Sequence, residues 1–186
     1  MIERLGGKVP EKQKGKPKSI RENKINEEIA NDLLKKLLKL RTLDPHPRGY
    51  AFEKFLKLLF DANGMAGRAS YRLIGEQIDG SFQLVGEIYL LEAKWQNNPV
   101  DASDLRSFNA KVEDKASWSR GLFVSYSGFS EDGLIAYGKG KSVICMDGFD
   151  LSEMLQNRLS LNDVLSKKVR RAAETGQPFV RLRDLL

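Results

Sequence analysis

Apolar residues recur along this chain at two periods, one helical and one alternating, and the switches between them mark out its elements. From Asn26 to Thr42, Ile29, Leu33, Leu34, Leu37, Leu38 and Leu40 fall at helical spacing and predict an amphipathic helix. Asp44-Pro45-His46-Pro47 is expected to stop it, because a proline cannot continue a helix. In GYAFEKFLKLLFDANG, Phe52, Phe55, Leu56, Leu59 and Phe60 form one stripe, and Asn63-Gly64 supplies a stop, so a second helix is expected there. Tyr71–Ile78, Ser81–Val85 and Glu87–Trp95 read as three strands, the last two joined by a tight turn near Gly86. Asp101 to about Lys115 reads as a helix with Asp101 as N-cap and Leu105, Phe108 and Val112 inward. Gly121–Ser125 is a buried strand, Ser130–Tyr137 a short helix and Ser142–Met146 another strand. Asp150 is expected to cap a helix carrying Leu151, Met154 and Leu155. Ser160 and Asp163 read as a capping box on a last helix ending at Gly176, with Phe179–Leu186 a short strand or an arm.

This order predicts an α/β fold: a mixed central sheet flanked on both faces by helices. At 186 residues the chain suits one domain with an appendage. The expected division is a basic arm over residues 1–25, an amphipathic helix over 26–43, and the domain over 44–186. The leading helix either packs on that domain or forms a dimer contact.

The strand EIYLLEAKW changes the picture. One face carries Ile88, Leu90, Glu92 and Lys94; the other carries Tyr89, Leu91, Ala93 and Trp95. Apolar residues on both faces imply a strand covered on both sides. An acid and a lysine two apart on such a strand cost several kcal/mol unless something compensates them. A metal ion compensates a carboxylate, and a reaction needing a placed ammonium accounts for the lysine. Asp79, beside Gly80 in EQIDGSF, is expected to reach Glu92 across the meander, with Gly80 allowing a close approach. Phosphodiester hydrolysis suits such a site, since a hard cation held by carboxylates stabilises the phosphate oxygens and leaves positions for water. The Ala93 carbonyl, between Glu92 and Lys94, is a further candidate ligand.

GYAFEKFLKLLF, IDGSF, LLEAKW and GLFVSYSGFSEDG together resemble the PD-(D/E)xK nuclease superfamily, and within it the Mrr-type restriction endonucleases. The resemblance covers about residues 48–148. It implies a restriction-endonuclease-like α-β-β-β-α-β core and a DNA endonuclease with magnesium as cofactor, manganese as a substitute, and 5′-phosphate and 3′-hydroxyl products. It assigns metal binding to Asp79 and Glu92, water activation or positioning to Lys94, and support of the metal through water to Glu53. Ile78 stands where the motif nominally has proline. Mrr itself tends to have glutamine at the place of Glu92, so this site follows the general superfamily pattern. Cleavage of both strands then implies a homodimer or two sequential nicks. Other readings of the same core are a junction or repair nuclease, an RNA nuclease and a non-catalytic nucleic-acid-binding module. Three intact charges in a buried cluster argue against the last.

The net charge of +6 is unevenly placed. Residues 1–24 hold eight Lys or Arg against three Glu, leaving +1 elsewhere. This segment reads as a solvated tail and, compatibly, as an electrostatic arm in which Lys8, Lys12, Lys14, Lys16 and Lys18 meet phosphates. Gln96 and Lys111 are further candidates for DNA contact, and Lys111, Lys115 and Arg120 form either a DNA-facing rim or a wet helix face. Trp95 and Trp118 are read as core or rim residues before base-stacking ones. The single Cys145, inside SVICM, is expected to be buried, which fits a reducing compartment and a cytoplasmic protein. No apolar run is long enough for a membrane span. GLIAYGKG lacks the serine or threonine of a P-loop, so no nucleotide cofactor is expected. A lone His46 leaves neither a zinc site nor a serine triad.

Overall fold

A computed structural model describes residues 23–186. In chain order the elements are α1 (Glu27–Leu40), α2 (Pro45–Ala62), β1 (Tyr71–Leu73), β2 (Glu76–Ile78), β3 (Gly80–Leu84), β4 (Glu87–Lys94), α3 (Ala102–Glu113), β5 (Arg120–Ser125), α4 (Glu131–Tyr137), β6 (Val143–Asp147), α5 (Gly148–Gln156), α6 (Leu161–Thr175) and a 3-10 turn (Leu182–Asp184). The central sheet runs β3-β4-β5-β6, with β3 antiparallel to β4 and both later pairs parallel. Parallel neighbours need a crossover, and α3 and α4 supply the two required here. The mixed sheet with flanking helices is the architecture expected from the sequence.

Alternation along β4 and β5 sorts side chains to two cores. Tyr89, Leu91, Leu122 and Val124 pack with α1, α2, α5 and α6, where Leu33, Leu37, Phe52, Phe55, Leu56, Leu59 and Phe60 are buried. Leu90 and Phe123 face the other way, against Leu105, Phe108 and Val112 of α3 and Tyr137 of α4. Each such large apolar side chain contributes roughly 1.5–3 kcal/mol on burial. The leucine helix α1 therefore packs on the sheet-bearing body through Leu33 and Leu37, while Ile29 and Leu38 stay exposed. Cys145 is buried in the α3/α4 core, as expected.

Five local expectations need correction. The prolines do not merely end α1: Pro45 opens α2, where a missing N–H costs nothing because the first helical N–H groups have no partner anyway. Tyr71–Ile78 is not one strand. It folds back at Gly75 (φ +80°) into a β1–β2 hairpin separate from the main sheet. The cap of α5 is Asp147, which accepts from the Asp150 N–H at 2.8 Å, while Asp150 sits buried inside the helix. Ser160 makes no side-chain cap bond, and Asp163 accepts instead from the Asn23 N–H at 2.7 Å. The C-terminal segment is a 3-10 turn, neither a strand nor a free arm, and Leu182 within it is fully buried.

Candidate active site

The β3–β4 pairing brings the acids together. Gly80 lies opposite Leu91, so Asp79 falls beside Glu92 and Ala93 on the adjacent strand, rather than reaching them across an intervening one. The Asp79 N–H donates to the Leu91 carbonyl at 3.2 Å. In return the Ala93 N–H donates to Asp79 Oδ2 at 3.0 Å, and Gln77 Nε2 donates to Asp79 Oδ1 at 3.3 Å. These two bonds orient the carboxylate and leave it lone pairs for a further ligand. Gly80 is needed for close packing: a Cβ there would stand 2.8 Å from the Arg68 carbonyl oxygen, which bridges to Ser81. The closely approaching group is thus the protein's own backbone.

Glu53 joins this pair from α2. Burial, then the charge of Asp79, push its carboxyl up to about 7; a hydrogen bond with Ser70 works the other way and Glu92 adds to the rise. Burial likewise raises the pKa of Glu92, opposed by its hydrogen bond to Lys111 and reinforced by the charge of Asp79. Three carboxylates, from α2, the β2–β3 junction and β4, therefore feel one another's charge. Asp79, Glu92 and Lys94 are half-buried rather than fully covered, because β4 reaches the edge of the packed layer at its C-terminal end.

The compensation comes largely from α3. Lys111 Nζ donates to Glu92 Oε2 at 2.9 Å and to the Gln77 carbonyl at 3.2 Å. Lys94 pairs with Asp104, in the first turn of the same helix. Lys115, just beyond the helix, pairs with Glu76 of β2. Asp104 and Lys111 flank the buried stripe Leu105, Phe108 and Val112, which places them at the margin of the packed face, but their partners follow only from how α3 lies on the sheet. Arg120, grouped with Lys111 and Lys115 as a basic rim, faces Glu87 at 3.5 Å, so all three cations are paired. Gln96 is half-buried, and its carbonyl accepts from the Ser127 hydroxyl. Trp95 stacks on Tyr126 with ring centroids 3.6 Å apart, while Trp118 is exposed. Lys8, Lys12, Lys14, Lys16 and Lys18 lie outside the described residues.

Among the described residues, no three acidic, histidine or cysteine side chains are grouped closely enough to hold a metal by themselves. The donors at hand are the Asp79 and Glu92 carboxylates and peptide carbonyls, an all-oxygen set that suits a hard divalent cation. Burial first, and the charge of the neighbouring acids after it, raise Glu53 and Glu92, and such a cation relieves the repulsive part. The residues fit the group. A cavity of about 560 Å³ lies elsewhere, lined by Leu38, Arg41, Tyr126, Phe149 and Arg183 among others. None of the four candidate catalytic residues lines it, and among the described residues no helix is long and apolar enough to cross a membrane.

No curated protein sequence matches the chain. Among solved structures it is similar to the MspJI restriction endonuclease in complex with a 27-mer oligonucleotide, at 14% identity and a TM-score of 0.44. That similarity covers 84% of this chain and 38% of MspJI, so the chain spans well under two thirds of that protein. It is also similar to AF1548, a protein of unknown function, at 18% identity and a TM-score of 0.37, over 73% of this chain and 93% of that one. The model of the restriction endonuclease catalytic family Mrr_cat matches residues 46–155, from the start of α2 to α5, which takes in Glu53, Asp79, Glu92 and Lys94. Spanning more than half of the sequence, that match makes this chain a member of the restriction endonuclease family.

Proposed function

We propose that the protein is a magnesium-dependent DNA endonuclease that hydrolyses phosphodiester bonds at the Asp79/Glu92/Lys94 site. The observation that carries this reading is the convergence of Glu53, Asp79 and Glu92 within charge range, beside Lys94, in a chain of this family. Asp79 and Glu92, with the Ala93 carbonyl, would hold the cation. Bound there, magnesium (or manganese in its place) neutralises charge on the phosphate and makes water a better nucleophile.

The remaining work falls to the chain's own groups. The Asp79 carboxylate is held in one orientation by the Ala93 N–H and Gln77 Nε2, so this group need not turn to meet a cation. Lys94 has three N–H donors; Asp104 takes one, and the others orient the attacking water and meet the developing charge. Glu53, hydrogen-bonded to Ser70, would support the metal through water. A half-buried site at the C-terminal end of β4, rather than a deep pocket, suits a polymer substrate. DNA is the substrate, contacted by Gln96 and by the basic arm through Lys8, Lys12, Lys14, Lys16 and Lys18. A homodimer would set two such sites on opposite strands. The buried single cysteine is in keeping with a reducing cytoplasm.

Supercoiled plasmid with magnesium tests this, beside an EDTA control and Lys94→Ala. Nicking or linearisation is expected, lost in both controls. Cleavage that survives Lys94→Ala would overturn the assignment of the site, and salt-sensitive plasmid retention without cleavage would make the domain a binding module.

A further inference from the structure

Lys111 occupies a position of unusual chemistry. Its ammonium donates at once to a carboxylate, Glu92 Oε2 at 2.9 Å, and to a peptide carbonyl, Gln77 O at 3.2 Å. Carboxylate and carbonyl oxygens together are what a hard divalent cation takes as ligands. Gln77 in turn donates from its side chain to Asp79 Oδ1 at 3.3 Å, so the same residue links the ammonium's carbonyl partner to the second acid. The Lys111 side chain is 24% exposed and that of Glu92 15%, so the pair is only thinly screened by water. It stands on a helix held firmly on the sheet by Leu105, Phe108 and Val112.

We propose that Lys111 is the resident counter-cation of the acidic site, holding Glu92 and the Gln77 carbonyl until a divalent cation displaces it. This rests on the metal-dependent reading of that site. The physical logic is competition. Asp79 just before β3 and Glu92 on the neighbouring β4, with Glu53 close by, carry more negative charge than the packing tolerates alone, and a tethered ammonium offsets part of it. The same ammonium must leave Glu92 before the carboxylate gives its full charge to a metal. Its presence therefore stabilises the metal-free protein and weakens the apparent metal affinity. Lys111 is in these terms a positioning residue that tunes the site, distinct from Lys94, whose partner is Asp104.

Calorimetric titration of magnesium into the full-length protein without DNA, repeated with calcium, compares wild type with Lys111→Met, Lys111→Arg and Asp79→Asn. Lys111→Met, which keeps the apolar stem, is expected to bind about fivefold more tightly, the equivalent of one partly exposed ion pair. Lys111→Arg keeps the charge and is expected to stay near wild type. A merely structural role would weaken binding or leave it alone, never tighten it. In wild-type protein, the NMR signal of the Lys111 side chain should shift with the same magnesium midpoint as calorimetry gives; this reading stands even if Lys111→Met fails to fold. Asp79-dependent binding with no tightening in Lys111→Met, or an unmoved Lys111 signal, overturns the counter-cation alone. No binding in wild type, or binding untouched by Asp79→Asn, overturns the metal site and the counter-cation with it.

Discussion

Lys94 does not pair with Glu92, its same-face neighbour on β4, but with Asp104 at the start of α3. Residues two apart on a strand project in parallel some 6.5–7 Å apart, so neither side chain is aimed at the other. A helix packed over that face can instead offer each charge its own partner. Here α3 does so with Asp104 and Lys111, seven residues and about two turns apart.

Asp104 is expected to matter for rate more than for binding. By fixing one donor of the Lys94 ammonium it aims the others, and loss of such an orienting contact degrades placement of the attacking water. Asp104→Ala should lower single-turnover cleavage about tenfold, with metal and DNA affinity within twofold of wild type, and Asp104→Asn should recover part of the loss. A variant cleaving as fast as wild type would show that the pair only sequesters Lys94.

Glu53 gives a pH signature in metal-free protein. Its folded-state pKa, pushed up to about 7, lies above the ordinary 4.5, so between these values the folded state binds more protons than the unfolded one. Stability contributed by the neutral carboxyl is full below about pH 4.5 and is lost as pH rises towards 7. In EDTA, Glu53→Gln should thus match wild type near pH 4.5 and exceed it at pH 8. Solvent screening of this partly exposed group holds the gain to about 1 kcal/mol. Urea melts across the pH series decide it; parallel curves for the two proteins would contradict the shift.

A second ion pair, remote from the site, secures the C-terminal segment. Lys168 Nζ lies 2.6 Å from Asp150 Oδ2, and each side chain is only 2% exposed. Asp150 Oδ1 also accepts from the Leu182 N–H at 2.7 Å, and Lys168 donates to the Val180 carbonyl at 2.6 Å. Removing one member leaves the other charge buried without compensation, which costs about 3–5 kcal/mol. Lys168→Met should lose that much in chemical denaturation, with Asp150→Asn/Lys168→Met regaining part of it. A loss under 1 kcal/mol would mean that water enters this corner freely.

The readable parts of the chain were those written as local periodicity. The stripe on α2, the two-sided β4 and the inward face of α3 each follow from which positions exclude water, and the structure buries those residues as expected. The Asp-Gly and Glu-x-Lys texts likewise pointed to residues that the β3–β4 register sets side by side. Local chemistry misled where two outcomes share one signature. Pro45 suits a helix start as well as a helix stop, and a glycine within an alternating run suits a hairpin as well as a continuous strand.

By itself the sequence determined the element types, the two-faced sheet and the family, because periodicity and short motifs need only neighbouring residues. Only the tertiary structure decided that Glu53 shares a field with Asp79, that Lys111 serves Glu92, that Asp104 serves Lys94 and that Asp150 meets Lys168. Charge pairing acts over a few ångströms between residues 10 to 26 positions apart. It depends on how each helix is placed over the sheet, a distance that no spacing along the chain encodes.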